Sequence, residues 1–381
     1  MKIAIIGGGV AAFEAAKTVR SLSNEAEITI YSREETLPYR RPALSRMASE
    51  TLSDAQFYIK PESFYAENRI DLKLSHTLNA IDTANRTLQF NTGESAIYDK
   101  LLLAVGSHCF CPPIPGMDLN GVMSLREYSD LQKLRMRLDS GVRNVTVIGG
   151  GLLGLELSES LLKRNCLVTV IEGCPNLLPR NLDAEAAEIV LEMFGKVENL
   201  TLRFGRTVDS IEGKAGKVVG VNLANGTIPA ELVMVSAGVR ANTEIAASGQ
   251  IKCNRGIVVD KFMRTSASDV YAAGDCAEVD AVSYGLYDAA RNMGEIAAHN
   301  MLGEEKAFVF QPFPARLSVF GVKLFSVGKL SGEHSKTTYD PKAGTLKKLF
   351  YDANKVFVGA ILIGDLREAP KLQAELAPQR A

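Results

Sequence analysis

Cysteine, long apolar runs and net charge are all scarce in this chain of 381 residues, and each scarcity excludes a class of protein. The six cysteines, Cys109, Cys111, Cys166, Cys174, Cys253 and Cys276, are too few and too scattered for a disulfide scaffold. Reduced thiols and a cytoplasmic location are the expectation. Cys109 and Cys111 form a CxC beside His108, but a zinc site gathers four ligands and no second pair stands at useful spacing, so no metal is expected. The apolar run LLLAV at 101–105 is far short of a bilayer span, and no membrane contact is expected. A formal net charge of −1 gives no global attraction for nucleic acid or anionic lipid, and no DNA-binding motif occurs. The amino-terminal KIAIIG lacks the longer apolar segment and small-residue cleavage site of a signal peptide, and is expected to be part of the fold.

What is present alternates strand and helix patterns, the mark of α/β units around parallel sheets, with room for two or three domains. KIAIIG, an Ala-rich helix at 11–21 and EITIYS make one strand–helix–strand unit; NVTVIG, a Leu-rich helix at 152–164 and LVTVIE make a second. A β-rich stretch with TLQFNTG and AIYDKLLLAVGS lies between them. KVVGVNLANG offers Asn225-Gly226 as a hairpin turn, and VYAAGDCAEV runs a strand into a turn ahead of a helix containing AARNMGEIAAHNML. From residue 313 the pattern changes to antiparallel strands, LSVFGVKLFSVGKL and VFVGAILIG, closed by a helix in EAPKLQAEL. That stretch holds eleven Lys and Arg against six Asp and Glu, a local charge of +5 in a chain whose total is −1. It is either a solvated basic face or a docking surface for an acidic partner.

Each strand–helix unit turns on glycine. Gly149-Gly150-Gly151-Leu152-Leu153-Gly154 is a full GxGxxG. Its first glycine permits the tight turn, its second lets backbone approach a pyrophosphate at the helix N-terminus, and its third allows helix to pack on strand. Glu172 ends the following strand, where an acid takes the ribose hydroxyls of an adenosine and repels a 2′-phosphate; this favours NADH over NADPH. The first turn, Gly7-Gly8-Gly9-Val10-Ala11-Ala12, is a GxGxxA variant. Here Arg33 stands where the acid is expected and Glu34 follows, so either is placed to meet the ribose. Two dinucleotide sites in one chain suit electron transfer from a diffusible nicotinamide to a resident flavin.

Over almost its whole length the chain resembles the FAD- and NAD(P)-dependent pyridine nucleotide oxidoreductases, nearest to NADH:rubredoxin reductases, the flavin part of assimilatory nitrite reductases and ferredoxin reductases. The resemblance rests on LPYRRPALSR at 37–46, LLLAVGS at 101–107, PPIPG at 112–116, SAGVRANTEIA at 236–246 and, most specifically, GIVVDKFMRTSASDVYAAGDCAE at 256–278. It implies an α/β fold with two Rossmann-like dinucleotide-binding domains and a small α+β C-terminal domain. The FAD domain would be discontinuous, 1–107 and 233–305, the NAD domain 108–232, and the C-terminal domain 306–381. For FAD it implies Gly7, Gly9 and Ala12 at the pyrophosphate, Arg33 or Glu34 at the adenosine, and Arg41 at phosphate or the flavin edge. Leu78, Ala104 and Gly106 join that site. Asp275 falls at the ribityl or pyrophosphate region, Leu286 and Tyr287 at the pyrimidine edge, and Lys323 against the flavin. Gly149, Gly151, Gly154, Glu172 and Gly238 would surround NADH. Glu156, on the helix after the second turn, would pair with Arg46, which replaces the family's Lys; an arginine stays protonated, so the pair would orient rather than donate a proton.

The same resemblance makes absences informative. Disulfide reductases of this superfamily carry a redox cysteine pair, and peroxide-reducing relatives a single cysteine, in a region where this chain has none before Cys109. The C-terminal His-Glu pair is also missing, His334 being that region's one histidine. Electrons would then pass from NADH through FAD to an outside acceptor, a small acidic iron–sulfur protein such as rubredoxin or a ferredoxin. A C-terminal segment shorter than the dimer-forming one of the disulfide reductases suits a monomer or weak homodimer. An NADH oxidase or the flavoprotein subunit of a larger complex is the alternative enzyme, and a flavin-based redox sensor the non-enzymatic one.

Overall fold

KIAII and NVTVI have almost no polar positions, and strands without a polar face are stable only in a sheet covered on both sides. In the computed structural model, which describes residues 1–309 and 312–376, both take such places. Strand Lys2–Ile6 is the centre of a five-stranded parallel sheet ordered Val270–Ala272, Lys100–Leu103, Lys2–Ile6, Glu27–Tyr31, Ile70–Lys73. Strand Asn144–Ile148 is the centre of a second, ordered Val122–Met123, Leu232–Val235, Asn144–Ile148, Leu167–Glu172, Leu200–Phe204. Four strands of each follow one spatial order, the edge strand being the last in the chain in the first sheet and the first in the chain in the second, and each sheet carries its own antiparallel three-stranded meander, at 78–97 and at 210–229.

Chain continuity is broken once. The chain leaves the first sheet through Ser107–Cys109 and returns through Val239–Ala241, and these two connections pair with each other antiparallel. Strand Val270–Ala272 then adds to the first sheet beside Lys100–Leu103. The boundary expected between 232 and 233 cuts strand Leu232–Val235, whose pairing with Asn144–Ile148 keeps it in the second sheet; the first unit resumes only beyond it. The hairpin expected at Asn225-Gly226 is also shifted by one residue. Leu223 pairs with Gly226, so Ala224 and Asn225 form the loop.

The carboxyl-terminal sheet is antiparallel, ordered Ala315–Val319, Val322–Gly328, Phe357–Ile363, Thr345–Tyr351, His334–Asp340. Of the range 306–381 expected for this part, 310–311 and 377–381 lie outside the described residues. Period-two alternation gives the sheet two apolar faces. Leu317, Leu324, Ile361 and Ile363 pack on Leu155, Val190 and Phe194 of the helices Leu152–Lys163 and Ala184–Phe194. Phe325, Val327 and Leu362 lie under Leu372 of the helix Ala369–Leu376. Lys348 shares the first face and is only 7% exposed. Its ammonium reaches Asp183, the N-cap of the helix Ala184–Phe194, at 2.5 Å, and also pairs with Glu185. Among the described residues no helix is long and apolar enough to cross a membrane.

A lysine buried against a helix cap must keep its acids or lose the cost of its desolvation. Lys348→Ala is expected to lower stability by about 1–2 kcal/mol, the half-exposed Glu185 limiting the effect. Lys348→Met should recover part of that loss by packing alone. Urea unfolding midpoints of the three proteins test the order.

Candidate dinucleotide sites

The two glycine turns are nearly superimposable in their bonding. Gly7 N donates to Tyr31 O at 2.8 Å and Gly149 N to Ile171 O at 2.8 Å. The third residue of each turn is an extended N-cap whose carbonyl accepts the first helical amide: Phe13 N to Gly9 O and Leu155 N to Gly151 O, both 3.0 Å. Gly7 and Gly149 have φ of +128° and +111°, and a Cβ would lie 2.1 Å from Ala104 O or 2.3 Å from Ser236 O. Only glycine fits there. At Gly9 and Gly151 the opposite holds: a Cβ would meet nothing within 4 Å, because both face open space in front of a helix N-terminus.

That space is one cavity of about 1160 Å³, lined from both turns. Gly7, Gly9, Arg33, Glu34, Arg41, Leu78, Ala104, Gly106, Asp275, Leu286 and Tyr287 line it from the first unit, and Gly149, Gly151, Glu172 and Gly238 from the second. Leu286 and Tyr287 do so at the N-terminus of the helix Tyr287–Met301.

Five expected residues stand elsewhere. Ala12 is fully buried and Gly154 buried, and neither lines the cavity. Both are packing positions; a Cβ on Gly154 would lie 2.1 Å from Gly149 O. Lys323 is exposed on strand Val322–Gly328. By alternation it shares the face of Phe325 and Val327, under the last helix, opposite the face that packs on the second unit, so it does not reach the cavity. The expected Glu156–Arg46 pair does not form. Arg46 reaches Glu50 at 3.3 Å, and Glu156 instead accepts from Ser45 Oγ at 3.1 Å. On the short helix Ala43–Met47, Leu44, Ser45 and Met47 are buried, which turns the intervening Arg46 to solvent. Glu156 is half-buried behind Ser45, and Ser45 lines the cavity while Glu156 does not. Burial pushes the Glu156 carboxyl above its ordinary value, the Ser45 hydroxyl pulls it partly back, and the Glu159 charge adds to the rise.

The acid-bearing strand ends differ in register. One residue beyond the carbonyl that receives the turn amide is Glu172 in the second unit and Ser32 in the first, so Ser32, not Arg33, is the counterpart of Glu172. Glu172 is held by amides, Gly150 N on Oε2 and Cys174 N on Oε1, both at 2.8 Å. Glu34 is held mainly by side chains, accepting from Tyr39 Oη at 2.7 Å and Arg41 Nη2 at 2.8 Å, with the Tyr128 amide farther off at 3.4 Å. Arg33 pairs with Glu127.

Arg126 and Ser45 escaped the sequence reading. Arg126 donates to Asp275 at 2.8 Å and to Ser107 Oγ at 2.6 Å, while its own carbonyl accepts from Arg41. Its one sequence signal is the Glu127-x-x-Asp130 capping box that follows it, in which Asp130 also receives the Arg126 amide at 3.0 Å. Burial pushes the Cys276 thiol up to about 11, so at neutral pH it is a packed, unreactive group. Among the described residues no three His, Cys, Asp or Glu side chains converge as metal ligands.

Residues 1–294 match the family described as pyridine nucleotide-disulphide oxidoreductase, and 314–379 match the rubredoxin NAD+ reductase C-terminal domain. The chain belongs to the pyridine nucleotide-disulphide oxidoreductase family. It is 33% identical to a nitrite reductase [NAD(P)H] of Bacillus subtilis over 97% of this chain, and spans only 46% of that relative. It is 35% identical to the rubredoxin-NAD(+) reductase of Pseudomonas putida over 73% of this chain and 72% of that one. Among solved structures, the NADH:rubredoxin oxidoreductase of Clostridium acetobutylicum matches with a TM-score of 0.81 and 25% identity, covering 98% of this chain and 94% of that chain.

With membership of this family come FAD and NADH as cofactors. The residues present fit them. Two glycine turns open a pyrophosphate approach at two helix N-termini, Glu172 offers carboxylate oxygens at one end, and Asp275, Ser107 and Arg126 supply a polar cluster at the other.

Gly149→Ala is expected to raise the dissociation constant for NADH at least about tenfold, from a misplaced turn, with flavin content retained; Gly7→Ala should do the reverse. Visible absorbance and NADH titration separate the two. For Glu156, the folded state holds its proton to higher pH than the unfolded chain does. Its contribution is therefore full below the unfolded carboxyl pKa and lost as pH rises through the folded one. Glu156→Gln keeps an acceptor for Ser45 without ionising, and its melting temperature should climb relative to the parent as pH rises above the ordinary carboxyl range.

Proposed function

We propose that this protein oxidises NADH and passes the electrons through FAD to a small, acidic iron–sulfur protein of the rubredoxin or ferredoxin kind. The observation that carries the reading is the single cavity reached by both glycine turns, lined by Cys109 and Cys174 but by no neighbouring cysteine pair. FAD, when bound, supplies the chemistry that accepts a hydride and releases electrons singly.

The chain's own residues bind, orient and exclude water. The first turn and the Asp275–Arg126–Ser107 cluster would hold the flavin dinucleotide; the second turn and Glu172 would hold the coenzyme. Glu156, whose carboxyl burial pushes above its ordinary value, accepts from Ser45 Oγ and so holds that cavity-lining side chain in place. The C-terminal stretch, with its charge of +5, suits an acidic partner, although Lys347 and Lys348 are already paired with Glu368, Asp183 and Glu185. The same reading places the protein in the cytoplasm, as a monomer or weak homodimer.

Anaerobic stopped-flow mixing tests it. NADH should bleach the yellow protein, and oxidised rubredoxin or ferredoxin should restore the colour within seconds. If every small iron–sulfur protein fails while air alone sustains rapid NADH consumption, the acceptor is oxygen and the proposed partner is wrong.

A further inference from the structure

Of the described strands, only His334–Asp340, at the open end of the carboxyl-terminal sheet, has every residue exposed. It overhangs the layers on both sides. Its neighbour Thr345–Tyr351 buries Leu346, Lys348 and Phe350 against the second unit, while Tyr339, Thr337 and Ser335, which stand opposite them, stay exposed. Among the described residues, no side chain from His334 to Tyr339 enters a hydrogen bond, ion pair or ring contact. The Asp340 carboxylate turns back to the amides of Lys342 and Ala343, at 2.9 and 3.1 Å, through Oδ1 alone. Exposed edges are ordinarily kept from pairing by shortness, an internal proline, a bulge or lysines. This edge has seven residues, as many as any strand of its sheet, and its ladder runs without a register shift. It carries no proline and one lysine, Lys336, followed by the strand-forming Thr337, Thr338 and Tyr339.

Such an edge can take a second copy of itself only in certain registers. In an antiparallel pair, opposite residues share one hydrogen-bonding type, and the types alternate along each strand. A two-fold pair must therefore be centred on one residue set opposite itself. Centring on Lys336 would set lysine against lysine. Centring on Thr337 sets each lysine opposite a threonine, with no acid to meet it. Centring on Thr338 sets Lys336 opposite Asp340 twice and Thr337 opposite Tyr339 twice, an ion pair and an aromatic–β-branched pair of the stabilising kinds. We propose that the strand His334–Asp340 is a self-recognition edge, by which two copies of this chain join antiparallel about Thr338 and merge their five-stranded sheets into one. A joint that pairs only residues 336–340 is small for a stable dimer, so the association is weak and depends on concentration. It gives the weak homodimer a surface and does not depend on which acceptor takes the electrons.

Sedimentation equilibrium of the full flavin-loaded chain tests it, over about 1–200 µM at low salt. The average mass of the wild type should climb from that of one chain toward twice that value. Lys336→Asp sets acid against acid in both ion pairs, and Asp340→Lys sets lysine against lysine. Each variant alone should raise the dissociation constant at least about tenfold. Mixed in equal amounts, the two variants restore both oppositely charged pairs, and the mixture should associate within about threefold of the wild type. Because Lys336 has no partner within the chain, Lys336→Asp should oxidise NADH with ferricyanide at the wild-type rate, which shows that it is intact. A wild type that keeps the mass of one chain at the highest concentration overturns the proposal and leaves the edge to another partner. So does association that ignores Lys336→Asp, which would put the interface or its register elsewhere. A mixture of the two variants that stays apart overturns it as well.

Discussion

Everything in this molecule follows from how closely a turn can approach the carbonyl of a neighbouring strand. At Gly7 and Gly149 the backbone runs so close that a side-chain carbon would lie 2.1 and 2.3 Å from Ala104 O and Ser236 O. That proximity seats each helix end at the carboxyl edge of its sheet, beside the strand that follows in spatial order. Without it the helix N-terminus would be held off, and its free amides would face no bounded space. Because the four strands around each turn follow one order in both sheets, the same contact made twice yields two anion-receptive helix ends opening on one cavity.

What differs between the units is how the acidic residue is restrained. Glu172 is gripped by two main-chain amides, so its position is a consequence of the turn itself. Glu34 is gripped by Tyr39 and Arg41, and Arg41 in turn reaches the Arg126 carbonyl. The first site is therefore a network of side chains spanning three segments, and the second is nearly all backbone. Polar networks of the first kind hold one geometry only when every member is satisfied. Under the proposed assignment the diffusible coenzyme takes the second kind, a rigid seat that can be entered and left.

The parts of this structure that were legible in the sequence are those fixed locally. Strand–turn–helix units, the glycine pattern and the acid at residue 172 all lie within about thirty residues of one another, and period and spacing report them. Arg126 was invisible because its partners, Ser107 and Asp275, are 19 and 149 positions away. Arg46 misled for a different reason. Its neighbour Ser45 has the right helical phase to face Glu156, and a five-residue helix gives too little periodicity to tell the two apart. Lys323 failed on the alternation of its strand, whose core-facing parity is set by packing with helices more than a hundred residues earlier. The offset between Ser32 and Arg33 arises because register is defined by the turn amide and not by the end of the apolar run.

The carboxyl-terminal sheet gains its meaning from where it stands. It packs on the helices Leu152–Lys163 and Ala184–Phe194 of the second unit, through Leu155, Val190 and Phe194. Lys348 clasps Asp183, and Asp183 is also the cap that closes the loop begun at Gly173. That loop carries Cys174, Leu178, Arg180 and Asn181 along the cavity. The sheet and the loop are therefore joined at Asp183, and Leu178 of the loop packs in the same cluster as Leu317 and Leu324 of the sheet. Glu159, on the helix that starts at the second turn, accepts the Phe320 amide at 2.9 Å and gives a second path to the same unit. Both contacts tie the carboxyl-terminal sheet to the unit that bears Glu172.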